Sequence, residues 1–151
     1  MPSFGDPLKE ECVEQYKFLF HVAGLPPLLH IKSLEAEPVG ENKYQITAEV
    51  QNQGWLATYV TRNAQKIRRD YPIAARIDVT GGKLVEGKPV ENIGHILGRL
   101  SYVRTWGDGL DASTKTVKWI VETSGDAPSS VTVEAWAHKA GKDERTITLN
   151  E

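Results

Sequence analysis

The four histidines are the residues of this chain with the clearest capacity for chemistry, because imidazole can ligate a metal or transfer a proton near neutral pH. None of them belongs to an HxxE, HExxH or CxxC pattern, and a zinc site needs ligands at spacings that let them converge. Glu91 and His95 stand four residues apart, which would place them on one face if this stretch were helical. Structural or surface roles are therefore the favoured reading of His21, His30, His95 and His138.

The patterns of nucleophilic catalysis and phosphate binding are also missing from the sequence. Ser101 and the pair Ser129-Ser130 are not part of a Gly-x-Ser-x-Gly elbow, and Cys12 falls on the apolar side of a predicted helix. The glycines form neither GxGxxG nor GxxxxGK[ST]. We expect no catalytic residue and no metal ligand in this chain.

Two other stretches resemble binding loops but fit ordinary surface elements better. Asp108 and Asp111 lie in a Gly-rich loop, yet no glutamate follows at the distance that a calcium loop requires. A basic run is interrupted by Asp70, and the chain as a whole has a net charge of -2. We therefore expect a solvated connector and no nucleic-acid binding from the residues of that run, which are Arg62, Lys66, Arg68 and Arg69.

Aromatic side chains are the remaining sequence signal for a ligand. Trp55, Tyr59 and Trp106 are in or near predicted loops, and Trp136 alternates out of phase with the apolar residues around it. Exposed rings of this kind can stack on sugars, which makes these four residues candidate binding residues. The alternative, which the sequence favours, is that the rings close the ends of the core or cover a partner domain.

Length and composition fit one domain with an appendage. The chain has 151 residues, of which 40% are hydrophobic, enough for one core. Its single cysteine cannot form an intramolecular disulfide. No apolar run approaches the roughly 18 residues of a membrane span, and the N-terminus lacks the features of a signal peptide.

The first element is predicted to be an amphipathic helix within residues 1–27. Apolar residues recur at three- and four-residue spacing from Leu8 to Ala23. Pro7 suits the first turn, Gly24 suits a left-handed C-terminal position, and Pro26-Pro27 prevents continuation. A helix with so wide an apolar face requires a partner surface, and the sequence predicts no second helix of comparable strength.

From residue 28 to residue 151 the apolar period is two, which predicts strands. We expect them at 28–39, 44–51, 73–87 with a turn at Gly81-Gly82, 95–106, 114–123, and in a hairpin over 130–149 that turns at 140–143. About seven short strands at this spacing predict a mostly β fold, an immunoglobulin-like antiparallel sandwich. The expected organisation is a helix over 1–27 followed by a sandwich over 28–151.

Several motifs occur in an order that is informative as a set. Phe18-Leu19 near the helix centre is followed by a Leu25-Pro26 corner and by YQITAEVQNQGWLAT at 44–58. Further along come GKPVENIGHILGR at 87–99 and the closing segment VTVEAWAHKAGKDERTITL. From about residue 8 onward this layout resembles the end of bacterial zinc carboxypeptidases of the carboxypeptidase A-like class.

The resemblance implies a non-catalytic accessory sandwich preceded by the last helix of a peptidase domain. That family binds zinc through a His-x-x-Glu pair and a distant histidine, and no residue here matches them. Zinc would then belong to an upstream catalytic domain, with no cofactor in this chain, and Met1 would be an internal boundary. The implied partner is that upstream domain, contacted through the helix, in a secreted or cell-envelope protein.

The resemblance also bears on the segment after residue 50, where the strand pattern stops. Gly54-Trp55-Leu56 would be an inter-strand corner, with Trp55 and Tyr59 as packing residues. An alternative function remains open at this point: an autonomous carbohydrate-binding or adhesion module that contacts a glycan or envelope surface through its loop aromatics.

Overall fold

A computed structural model describes residues 5–59, 61, 63, 66–67, 71–99, 112–124 and 129–149. It contains one helix, α1 (Gly5–Ala23), and eight strands. The strands are β1 (Leu29–Gly40), β2 (Lys43–Asn52), β3 (Ile73–Thr80), β4 (Gly82–Glu86), β5 (Val90–Gly94), β6 (Thr114–Thr123), β7 (Ser129–Ala137) and β8 (Gly141–Leu149).

The strands form two antiparallel four-stranded sheets, which confirms the predicted mostly β, immunoglobulin-like sandwich. The first sheet has the order β1-β2-β6-β4 and the second the order β5-β3-β7-β8. In an immunoglobulin domain β1, β2, β6 and β4 would be strands A, B, E and D, and β3, β7 and β8 would be C, F and G. β5 adds a further strand beside β3.

The core lies between the sheets because the buried faces alternate as period two requires. β7 shows the alternation most clearly, with every second residue from Ser129 to Ala137 buried. Trp119 on β6 is the largest fully buried side chain, and it pairs in register with Ile46 on β2. The inward residues of β2, β3, β6 and β7 belong to one continuous hydrophobic cluster.

Three sequence expectations about the strands are wrong in detail. Gly81-Gly82 does not close a hairpin, because β3 and β4 belong to different sheets. A Cβ at Gly82 would lie 2.4 Å from the carbonyl oxygen of Glu122, so the glycine permits the chain to approach β6. Residues 95–98 are irregular, and the strand of this region is β5, immediately before them. The last hairpin turns at 138–140, two residues earlier than predicted.

The helix also ends differently from the expectation. Gly24 does not adopt a positive φ. Instead, the amides of Gly24 and Leu25 each donate to a carbonyl three residues earlier, at 3.1 Å in both cases. This tightening of the last turn, followed by Pro26-Pro27, ends α1 without a left-handed residue.

One end of the sandwich collects the segments of greatest interest. β1, β6 and β8 begin there and β2 and β7 end there, as the antiparallel register requires. β3 begins and β5 ends at the same place. We call it the helix end, because α1 leads into β1 at this point. No helix among the described residues is long and apolar enough to span a membrane.

Candidate functional site

The segment from residue 52 to residue 58, which we call the corner, is organised around the buried side chain of Asn52. The side-chain oxygen Oδ1 accepts from the backbone N–H of Leu28 and of Gly54, both at 3.0 Å. The amide Nδ2 donates to the carbonyl of Leu56 at 2.8 Å and to that of Leu97 at 3.4 Å. One buried amide therefore connects three separate segments of backbone.

Two glycines allow these backbones to approach each other. A Cβ at Gly54 would lie 2.1 Å from the carbonyl oxygen of Pro26, and a Cβ at Gly98 would lie 2.3 Å from that of Trp55. Both neighbours are backbone atoms that cannot rotate away. The corner is therefore a structural junction in which separate backbone segments pack directly against each other.

Thr58 and His95 extend the junction toward the second sheet. The Thr58 hydroxyl lies 3.2 Å from Nδ1 of His95 and accepts from the backbone N–H of Ile96 at 3.1 Å. The backbone of Thr58 in turn donates to the carbonyl of Ile96 at 3.0 Å. Tyr59 packs its ring edge-on against His95, with ring centroids 5.6 Å apart. Tyr59 is half-buried in this contact.

The four aromatic candidates do not form one platform. Trp55 lies in the corner and is 40% exposed, whereas Tyr59 is engaged with His95. Trp136 lies on the outer face of the second sheet, in register with Ala74 and Lys142. Trp106 lies outside the described residues, as do Asp108 and Asp111. Among the described candidates, no ring stacks on another.

The described histidines are held in separate places. Nδ1 of His30 lies 3.0 Å from Asp143, His95 contacts Thr58, and His138 packs against Tyr71. Glu91 lies on a strand and its carboxylate accepts from the backbone N–H of Lys88, so the helical face that would pair it with His95 does not exist. Within the described part of the chain, no three His, Cys, Asp or Glu side chains could hold a metal ion together.

Helix α1 is the most unusual feature of the helix end. Every residue from Pro7 to Gly24 is exposed, and α1 shares no extensive contact with any strand. The exposed side chains include seven large apolar residues: Leu8, Val13, Tyr16, Phe18, Leu19, Phe20 and Val22. The helix is attached to the sandwich just beyond its last turn, where the Leu56 amide donates to the carbonyl of Leu25.

A second junction closes the sandwich between β1 and β8. The Asp143 carboxylate accepts from the backbone N–H of Ile31 at 2.8 Å and lies beside His30. Partial burial by itself raises the pKa of this carboxyl, but the backbone N–H groups of Ile31 and Glu144, together with His30, outweigh it. The net effect is a pKa below the ordinary value of 3.8.

Acid is therefore expected to weaken this junction. A carboxyl whose pKa is lowered by folding stabilises the protein at pH values above its pKa in the unfolded chain. That contribution is lost as the pH falls through its pKa in the folded protein. Asp143→Asn should cost about 0.5–1.5 kcal/mol at pH 7 and flatten the fall in unfolding free energy below about pH 4. Urea denaturation at pH 7, 4 and 3 measures both effects.

The matched control is Glu122→Gln. Lys83 on β4 lowers the pKa of Glu122 on β6 by a hydrogen bond and by its charge, but this partner is an exposed, flexible side chain, whereas Asp143 accepts from a backbone N–H. We expect the control to change the acid dependence little. An equal flattening by both variants would contradict a specific role for Asp143.

Comparison with known proteins gives a family and no activity. No curated protein sequence matches the chain significantly. The sequence model of one family, described as "Domain of unknown function (DUF8731)", matches residues 28–148. That range covers the eight strands with the exception of the last residue of β8, and it leaves out α1. The chain belongs to the DUF8731 family.

Proposed function

We propose that this chain is a non-catalytic accessory domain of a larger secreted or cell-envelope zinc carboxypeptidase, which it contacts through α1. The resemblance of the sequence motifs supports the identity of the larger enzyme. The exposed apolar surface of α1 carries the proposal that the chain packs on another folded unit. Zinc and the catalytic residues belong to that other unit.

The width of the apolar surface indicates what kind of partner it needs. At about 100° per residue, the apolar side chains from Tyr16 to Val22 spread over roughly 200° of the helix circumference. A helix that packs on one surface needs only about half of that width. The arc therefore fits a helix embedded between two neighbours, as the last helix of a domain would be.

A narrow polar strip marks the side of α1 that remains in water. It consists of residues spaced by four, three and four positions, with a Lys17–Glu14 ion pair of 2.7 Å within it: Glu10, Glu14, Lys17 and His21. The helix carries four acidic and two basic residues. Helices that bind anionic lipid are basic, so the charge favours a protein partner over a membrane surface.

The corner gives the proposed accessory role a mechanical basis. Asn52, Gly54 and Leu56 carry both the resemblance and the contacts with residues 25–28 that follow α1. A partner that holds α1 would therefore be connected to the first sheet through a rigid junction. The domain would hold its position relative to the peptidase and limit access to the cleft from one side.

Removing α1 is expected to leave the sandwich folded. A chain that begins at residue 25 keeps Leu25 and Leu28, which bond to the corner, and loses no residue of the hydrophobic cluster. We expect its unfolding free energy in urea to stay within about 1 kcal/mol of the full chain. Loss of cooperative unfolding in the shortened chain would contradict the separation of helix and sandwich.

A chain that begins at residue 29 is the matched comparison. It lacks the Leu28 amide that donates to Asn52 and the Leu25 carbonyl that accepts from Leu56. We expect this variant to be clearly less stable than the chain that begins at residue 25. Binding of a hydrophobic dye should be strong for residues 1–151 and weak for residues 25–151.

The docking proposal is tested with the preceding part of the natural reading frame. That upstream part should encode a His-x-x-Glu pair and a distant histidine. Expressed as a separate protein that ends just before residue 1, it should bind residues 1–151. Leu19→Glu, in the apolar arc, should abolish the complex, whereas Glu10→Ala, in the polar strip, should preserve it. An upstream sequence without these ligands would refute the carboxypeptidase assignment, and equal binding by both variants would refute docking through the arc.

A further inference from the structure

We infer that the outer face of the second sheet, at its helix end, carries a small binding site for a neutral oligosaccharide, centred on Trp136. The inference is independent of the accessory role proposed for α1. It moves the glycan hypothesis away from the corner, where Trp55 and Tyr59 lie, to a face of the sandwich opposite the core.

Trp136 is presented outward by the register of the sheet. It lies between Ala74 on β3 and Lys142 on β8, and the residues on either side of it in β7 are buried. Ala74 is small, so one side of the indole ring has no bulky neighbour on β3. Trp136 is half-buried.

Two further rings continue from Trp136 toward the helix end. His138 lies two residues beyond Trp136, at the first position of the turn that follows β7. The Tyr71 ring packs against that of His138, with centroids 5.3 Å apart and planes inclined by 57°. Tyr71 is 62% exposed. Sequence reasoning missed both residues, although the alternation that exposes Trp136 also leads to position 138.

The charges beside Trp136 compensate each other. Glu134 accepts from Lys142 at 3.2 Å and from Arg76 at 2.9 Å, and Arg76 also lies 3.1 Å from Asp78. With Glu144, which pairs in register with Glu134, this face carries two cations and three carboxylates and so has no excess of positive charge. A phosphate-rich or strongly acidic ligand would have to compete with these pairs, whereas sugar hydroxyls can bond to the same groups without breaking them.

The small area of this surface also indicates which kind of ligand it can bind. Trp136 on the sheet and the Tyr71–His138 pair beside it offer far less than the roughly 800 Å² per partner of a stable protein interface. Pyranose rings present flat C–H faces that pack on aromatic rings, and their hydroxyls need a few polar groups at the margin. A short neutral oligosaccharide fits the area, the charge and the rings together.

Titration of the full chain with three soluble hexasaccharides tests the site: β-1,4-linked N-acetylglucosamine, β-1,4-linked glucose and α-mannose. We expect saturable heat and quenching of tryptophan fluorescence with at least one of them. Trp136→Ala and Tyr71→Ala should each weaken that binding by about tenfold or more. Val39→Ala, an exposed apolar residue near the opposite end of β1, should leave it unchanged.

The three sugars distinguish an amino-sugar polymer from a glucan or a mannan as the source of the ligand. Thermal unfolding of each variant separates loss of the site from loss of the fold. No heat and no quenching with any of the three at millimolar concentration would overturn the inference. Binding that survives both Trp136→Ala and Tyr71→Ala would overturn it as well.

Discussion

Asn52→Ala is expected to lower the free energy of unfolding by about 3–5 kcal/mol. The substitution leaves the N–H groups of Leu28 and Gly54 without their acceptor and removes the donor to the carbonyl of Leu56. The side chain is only 1% exposed, so water cannot readily replace these bonds. Urea denaturation followed by far-ultraviolet circular dichroism measures the loss.

Asn92→Ala is the matched control for that experiment. Asn92 also precedes a glycine by two positions, and its Oδ1 accepts from the backbone N–H of Gly94 at 2.9 Å. This contact is exposed, so water can take the place of the amide, and we expect a loss below about 1 kcal/mol. Similar losses in both variants would show that the corner is not a structural junction.

Trp119→Ala, in the core between the sheets, should lower the free energy of unfolding by about 3–5 kcal/mol. The indole is 1% exposed at the centre of the core, and its Nε1 donates to the carbonyl of Lys88 at 3.0 Å. Removing it leaves a large cavity and a carbonyl without its donor. A Cβ at Gly87 would lie 2.5 Å from the ring, so the neighbouring backbone is already in close contact with it.

Trp136→Ala provides the comparison, because the same residue type lies on the outer face of the sandwich. We expect a clearly smaller loss, of about 1–2 kcal/mol, since the residue lies on the outer face and is only half-buried. Equal losses from the two tryptophans would contradict the assignment of Trp136 to an accessible surface. The stability of Trp136→Ala is also what makes this variant usable in the oligosaccharide titration.

The expected results for Asn52→Ala and Trp119→Ala would together show what stabilises the domain in its proposed role. In that role the sandwich would be stabilised by its own core and by the Asn52 junction. α1 shares no extensive contact with the strands and exposes an apolar surface that another folded unit could bury. In the proposed role, a partner that binds α1 would thereby fix the position of the two sheets.

The fold class could be predicted from the sequence because period-two burial is a local property. β1, β2 and β6 lie within one residue of their predicted limits, since each alternates cleanly and ends at a turn. The apolar arc of α1 could also be predicted from the sequence, because helical spacing alone places Tyr16, Leu19 and Ala23 on one side.

The pairing of β3, β4 and β5 could not be predicted in this way. A Gly-Gly pair after an alternating strand indicates a hairpin, and only the approach of Gly82 to the β6 backbone shows that the chain changes sheets there. The same holds for β5, which is short and mostly exposed, so that its residues carry no clear period.

The sequence by itself determined that this protein is a β-sandwich with an apolar helix in front of it and no recognisable catalytic pattern. Only the tertiary structure decided where the aromatic rings lie and which residues they contact. Trp55 and Tyr59 join a corner held by Asn52 and His95, whereas Trp136 faces outward from β7 and Tyr71 packs on His138 at the turn that follows β7. The physical reason is that accessibility depends on contacts between residues far apart in the chain, which local periodicity does not record.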